Sequence, residues 1–60
     1  MNKIYITFET MKDAQIAQDA LRGNVPFEPG SSALGMTISS ANRREAREIL
    51  TECKINFSMR

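Results

Sequence analysis

The stretch KIYITFETMKDAQIAQDALRG, residues 3–23, decides the fold because its hydrophobic period changes once along its length. In residues 3–9 apolar and polar side chains alternate strictly, and a period of two with β-branched and aromatic residues is typical of a half-buried β-strand. One face of this strand would then belong to the core. The residues predicted to share that face are Ile4, Ile6 and Phe8.

A helix is predicted directly after this strand. Thr10 is a favourable N-cap residue, and Asp13 stands near the capping-box position. Gly23 can adopt the left-handed conformation that commonly ends a helix. Between these signals the apolar residues recur at helical spacing, so one stripe of small side chains would pack on the sheet. That stripe consists of Ala14, Ala17, Ala20 and Leu21, with Ile16 at its edge.

The remaining elements follow in the order strand, strand, helix, strand. Residues 25–28 predict a short edge strand, since they contain Pro26 and proline is confined to edges and strand starts. The others are a strand over 35–39, a helix over 41–53 capped by Ser39 or Ser40, and a strand over 55–59. This β-α-β-β-α-β order predicts a single domain with an α+β, ferredoxin-like fold. Its four-stranded antiparallel sheet would have the first and third strands at the centre and both helices on one face.

Composition argues against catalysis and against a metal site. The 60 residues include no histidine and one cysteine, so neither an intramolecular disulfide nor a zinc-type cluster is expected, and no imidazole can act as a general base. Cys53 falls on the predicted apolar stripe of the second helix, where a cysteine usually serves as a small buried hydrophobe. We therefore predict a protein that is not an enzyme and that holds no cofactor and no metal.

Net charge and hydropathy argue against two classes of partner, nucleic acid and membranes. The net charge is +1, from 8 basic and 7 acidic residues, so no global basic field would draw the chain to nucleic acid. No apolar run reaches the length of a membrane span, and the N-terminus alternates instead of forming a signal-peptide core. We expect a cytoplasmic protein without a membrane partner.

An arginine cluster opens the second helix, in NRREAR, residues 42–47. Acidic residues are favoured in the first turn because the helix dipole is positive there, yet this helix has two arginines in that turn and a third one turn later. The cluster is either a solvated face, in which Arg44 pairs with Glu48, or a site for an anion or an acidic partner. The residues predicted to form that partner- or anion-binding site are Arg43, Arg44, Arg47, Ser39 and Ser40.

The sheet face opposite the helices is predicted to be polar and mostly uncharged. Its residues would be Tyr5, Thr7, Thr37, Asn56 and Ser58. The segment IYITF resembles the first sheet motif of RNA-recognition domains, with Tyr5 where a stacking aromatic would stand. The third strand, GMTIS, supplies no aromatic and no basic residue for the second motif. This face is therefore interpreted either as a binding surface or as solvated sheet, and nucleic acid remains a weak candidate partner.

Over nearly its whole length the chain resembles a family of small bacterial domains described as selenium- or sulfur-carrier-like. The pieces that carry the resemblance are YITFETMKDA, NVPFEP, SSALGMTI, EAREIL and a closing INF. The family pattern places a cysteine between Ser-Ser-x and Gly, where this chain has Leu34, and a leucine cannot form a persulfide. The resemblance implies a member that keeps the scaffold without the carrier chemistry. Leu34 would be the exposed apolar residue of a structural loop, and a hydrophobic anchor for a partner, unless it folds back onto the core.

Three functions from different classes are compatible with these features. The first is a non-enzymatic binding or regulatory domain that engages a protein through the arginine cluster, the loop at Leu34 or a sheet edge. Small inhibitors carried by phages or mobile elements, including anti-CRISPR-like proteins, have this size and chemistry. The second is a degenerate sulfur-carrier-like domain, and the third is an anion or nucleic-acid backbone binder at the start of the second helix. A homodimer through an exposed edge strand is also compatible.

Overall fold

The computed structural model describes residues 2–30 and 32–60. Four antiparallel strands form one sheet in the order β2-β3-β1-β4, and two helices connect them, which confirms the predicted α+β, ferredoxin-like fold. The elements are β1 (Lys3–Phe8), α1 (Met11–Leu21), β2 (Glu28–Pro29), β3 (Gly35–Ser39), a 3₁₀ turn (Ser40–Asn42), α2 (Arg43–Glu52) and β4 (Phe57–Met59).

The core lies between one face of the sheet and both helices. The alternate residues of β1 that were predicted to be buried are buried, and they face side chains from both helices, so α1 and α2 cover the same side of the sheet. Ile6, Met36 and Leu50 are among the largest side chains that are fully enclosed. The buried cluster consists of Ile4, Ile6, Phe8, Ala14, Ala17, Leu21, Val25, Met36, Ile38, Ala46 and Leu50.

Each helix is followed, just after its C-cap, by a residue in the left-handed conformation. At the start of α1 the Thr10 Oγ1 accepts a hydrogen bond from the Asp13 N–H at 3.1 Å, which confirms the predicted N-cap. Just past its end Gly23 has φ +83°, the left-handed conformation that the sequence predicts. After α2 the corresponding position is Lys54, which has φ 57° although it carries a side chain.

The prediction for the second strand was wrong in its position. Val25 is buried, but its N–H donates to the Leu21 carbonyl at 2.9 Å, so it belongs to the turn that ends α1. The strand is Glu28–Pro29, paired with β3 by Glu28 opposite Thr37 and Pro29 opposite Met36. The proline inside this edge strand is therefore Pro29 and not Pro26.

The second helix and the fourth strand are shorter than predicted. A 3₁₀ turn precedes α2, since the Arg43 N–H bonds the Ser40 carbonyl, and α2 itself ends at Glu52. The fourth strand begins at Phe57, whose partner Phe8 is the last residue of β1. Among the described residues, no helix is long and apolar enough to cross a membrane.

Candidate functional site

Two of the three clustered arginines lie on a groove between α2 and β4. Arg43 and Arg47, one helical turn apart, line a cavity of about 390 Å³ together with Thr51, Phe57 and Met59. The two β4 side chains are half-buried and also pack against the core. We call this feature the α2–β4 groove; it combines two cationic side chains with an apolar floor.

The arginines of the groove have no carboxylate partner in residues 2–30 and 32–60. The ion pair found there joins the Lys3 Nζ to the Glu28 Oε1 at 3.1 Å, on the opposite face of the sheet. Among the described residues no carboxylate approaches Arg43 or Arg47 within 4.0 Å, and the pair of Arg44 with Glu48 that the solvated-face alternative includes is not formed. Both guanidinium groups of the groove are exposed and can therefore bind an external anionic group.

The arginines do not serve the stability of the helix. Arg43 is the first residue of α2, where the positive end of the helix dipole disfavours a cation. Arg43 and Arg47 are also four residues apart on one face, a spacing at which like charges repel. Each effect costs a few tenths of a kcal/mol, roughly, and Glu45 in the same first turn offsets only part of it. The placement therefore favours the functional interpretation over that of a salt-bridged face.

The serines expected beside the arginines are engaged elsewhere. The Ser39 Oγ accepts a hydrogen bond from the Ala41 N–H at 3.3 Å and so caps the 3₁₀ turn. Ser40 is exposed; its N–H donates to the Asn2 carbonyl at 3.1 Å, and its carbonyl accepts from the Arg43 N–H. The backbone N–H groups of Ser40, Ala41 and Arg43 are thus engaged within the chain, which leaves fewer backbone donors for an anion at the start of α2. Arg44 is exposed and is not among the residues that line the groove.

Ser39 instead borders a second cavity, of about 290 Å³, at the opposite edge of the sheet. Pro26 and Phe27 form one side of it, and Asn42 lies near its other end. It opens where the two-residue strand β2 stops short of the end of β3. The titratable groups at its rim are Lys3 and Glu28, which already pair with each other.

The outer edge of β4 runs along the groove. Tyr5 and Arg60 exchange two backbone hydrogen bonds, of 3.1 and 2.9 Å, so they form a hydrogen-bonded pair between β1 and the residue after β4. Such pairs alternate with non-hydrogen-bonded pairs in an antiparallel ladder. The pairs of Met59 with Ile6 and of Phe57 with Phe8 are therefore non-hydrogen-bonded, and the N–H and C=O groups of Phe57 and Met59 point away from the sheet.

The outer edge of β2 is different. The Gly30 N–H donates to the Gly35 carbonyl at 3.1 Å, so by the same alternation the outward position in β2 is Pro29. A proline has no N–H, which removes the donor that a neighbouring strand would need. Within the described strands, β4 presents two outward N–H groups, whereas the two-residue β2 presents none.

The open sheet face carries the predicted residues, but the Tyr5 ring is partly covered and is not free to stack on a base. Its ring packs over the backbone of Gly30 and Gly35, where a Cβ on Gly30 would stand 2.8 Å from the Tyr5 Cε1. Thr7, Thr37 and Tyr5 are half-buried, whereas Asn56 and Ser58 are exposed. The Asn56 Nδ2 donates to the Glu9 Oε2 at 3.3 Å, which joins the end of β1 to the start of β4.

Leu34 and Cys53 are each half-buried. The Leu34 N–H donates to the Ser32 Oγ at 3.1 Å, and its carbonyl accepts from the Phe8 N–H at 2.8 Å, so this part of the loop is tied to β1. Cys53 is the C-cap residue of α2, and its N–H bonds the Ile49 carbonyl. In the part of the chain that the structure describes, Met11 is the large apolar residue that is exposed, by 61%.

Sequence reasoning missed two parts of the site. Phe57 and Met59 were predicted only as part of a strand over 55–59, although their alternate positions on a last strand were a usable signal. Arg60, whose backbone extends the strand pairing through Tyr5, was not considered, and its position after β4 was the signal.

The search of protein-family models, curated proteins and solved structures found no match. The resemblance to the carrier-like family therefore stays a prediction.

Proposed function

We propose that this chain is a non-enzymatic binding domain that engages a protein partner through the α2–β4 groove and acts as a small cytoplasmic regulator or inhibitor. The observation that carries the proposal is the pair Arg43 and Arg47, exposed and without a carboxylate within 4.0 Å in the described part of the chain, in a groove that Phe57 and Met59 also line. Arginine, phenylalanine and methionine are enriched in protein interfaces, where arginines and aromatic residues supply much of the binding energy.

The alternatives draw less support from the same residues. An anion site at the start of α2 would use backbone N–H groups, and those of Ser40, Ala41 and Arg43 already have partners within the chain. Sulfur or selenium transfer would need a thiolate in the loop, where Leu34 stands. A mode of action by occupying a surface of the partner requires no catalytic group, which agrees with the composition of the chain.

The test is a capture experiment from nuclease-treated lysate of the source cell or its host. The wild type is compared with the double variant Arg43→Glu, Arg47→Glu, and captured proteins are identified by mass spectrometry. The matched control is Lys12→Glu, Arg22→Glu, which makes the same change in charge at exposed positions near α1. We expect a stoichiometric partner that the groove variant loses and the control retains.

Two results would overturn the proposal. A partner retained by the groove variant would place the interaction elsewhere on the chain. A partner lost equally from both variants would show that net charge matters and the groove does not. If the groove variant alone loses the partner, a single Arg44→Glu variant shows whether the contact with the partner extends beyond the groove.

A further inference from the structure

The groove and the open edge of β4 belong to one surface. Phe57 and Met59 contribute their side chains to the floor of the groove, and the same two residues point their N–H and C=O groups outward. A segment that pairs with this edge would therefore place alternate side chains against Arg43 and Arg47. Main-chain hydrogen bonds would supply affinity and the arginines selectivity, as in other cases of strand addition.

The spacing of the arginines fits an extended segment. Four residues along a helix cover about 6 Å of its axis. Two residues along a strand cover about 7 Å, and they point to the same face. Two acidic side chains at alternate positions of an added strand could thus meet Arg43 and Arg47 together, while their aliphatic stems cover Phe57 and Met59.

Charge argues against a second copy of this chain as the occupant. Antiparallel pairing of β4 with β4 about a two-fold axis would set both α2 helices on the same side of one continuous sheet. Both pairs of Arg43 and Arg47 would then lie beside the new strand pair on one side of the sheet, with no carboxylate within 4.0 Å of either in the described residues. An acidic segment meets the same edge with attraction instead of repulsion.

We propose that an extended acidic segment of a partner protein adds to the sheet beside β4 as a fifth strand, with carboxylates at alternate positions bound by Arg43 and Arg47. This inference rests on the proposed function, since it names the form of the partner at the same groove. It predicts which backbone groups the partner uses: the N–H and C=O of Phe57 and Met59.

The probe is an octapeptide of alternating glutamate and valine, acetylated and amidated at its ends. Its effect on the isotope-labelled chain is measured by NMR. In the free protein the amides of Phe57 and Met59 should exchange with solvent faster than that of Arg60, which pairs with Tyr5. Saturating peptide should slow the exchange of these two amides by at least about tenfold. The peptide with lysine in place of glutamate should have no effect.

Two pairs of variants separate the backbone from the charge. Met59→Pro removes one outward N–H without touching the ladder to β1, and it should weaken peptide binding at least about tenfold relative to Met59→Ala, which keeps that N–H. Arg43→Glu, Arg47→Glu should weaken binding at least about tenfold, whereas Lys12→Glu, Arg22→Glu should leave it unchanged. Amide protection in the wild type decides the matter if the proline variant does not fold.

The outcomes distinguish this inference from the proposed function. Peptide binding that depends on the arginines but leaves the Phe57 and Met59 amides unprotected would overturn strand addition and leave the groove as the binding site. Protection of these amides by self-association, seen as a concentration-dependent dimer in sedimentation, would assign the edge to a second copy and overturn the acidic segment. Binding of single-stranded RNA in place of the peptide would overturn it as well. No binding at millimolar peptide would overturn the inference, while the capture experiment still tests the proposed function.

Discussion

The ring of Tyr5 lies against the backbone of Gly35, so close that a Cβ atom on Gly35 would stand 2.7 Å from the Tyr5 Cζ. Gly35 has no positive φ, and its role is therefore to make room for the ring. A glycine in a strand otherwise weakens the strand, and an aromatic residue from the neighbouring strand compensates by covering it. Tyr5 and Gly35 thus act as a unit on the open face of the sheet.

Gly35→Ala should destabilise the fold by about 1–3 kcal/mol, because the new methyl group overlaps the Tyr5 ring and the ring must move off the sheet. In Tyr5→Ala the same glycine substitution should cost much less. A double-mutant cycle measured by urea unfolding gives the coupling between the two positions. Equal costs in both backgrounds would show that the ring does not constrain Gly35.

Arg43→Glu should raise the stability of the chain by about 0.3–1 kcal/mol at low salt, since it replaces a cation with an anion at the first residue of α2. Urea unfolding at low and at high salt measures the gain and its screening. Arg22→Glu, at the C-cap of α1, makes the same change in net charge where the dipole disfavours an anion, so it should lower the stability instead. A loss of stability in Arg43→Glu would mean that the arginine makes a structural contact.

Lys54→Gly should stabilise the chain by about 0.5–1 kcal/mol, because Lys54 occupies the left-handed region that costs a residue with a Cβ about 1–2 kcal/mol. The entropy of glycine in the unfolded chain offsets part of that gain. At the end of α1 the reverse change, Gly23→Ala, should cost about 1 kcal/mol although the space around it is open. Thermal unfolding of the two variants should therefore shift in opposite directions.

Leu50→Ala should unfold most of the population at 25 °C. Leu50 is fully buried, and truncating such a leucine costs about 2–5 kcal/mol, which is comparable with the whole stability of a domain of this size. Ile49→Ala, at the half-buried neighbouring position, should cost less, about 1–2 kcal/mol. Urea unfolding followed by circular dichroism at 222 nm gives the free energy of unfolding of the two variants. Similar losses of stability would contradict the observed burial.

The fold could be predicted because the local signals agree. The alternation in β1, the Thr10 cap and the Gly23 end require only neighbouring residues to be recognised. The second strand could not be located in this way, since Pro26 and Pro29 give the same local signal and only the pairing with β3 selects the second of them. The start of β4 likewise depends on where β1 ends.

The candidate site could be predicted only in part. The spacing of Arg43 and Arg47 already places them on one helical face, and their conflict with the helix dipole is visible in the sequence. That Phe57 and Met59 line the same groove as these arginines depends on how α2 lies beside an edge strand, which no local pattern specifies. The separation of Ser39 from the arginines has a similar origin, because the 3₁₀ turn could not be anticipated.

The contrast between the two sheet edges sets a limit on how far this chain can polymerise. Fibre growth by sheet extension needs two different edges on each molecule, so that every added unit presents a fresh template for the next. Here Pro29 leaves one side without a donor, and only the side at Phe57 and Met59 is competent. Sheet extension in the folded state is therefore disfavoured at the Pro29 edge. One edge can thus bind a partner strand while the other edge does not readily template a further one.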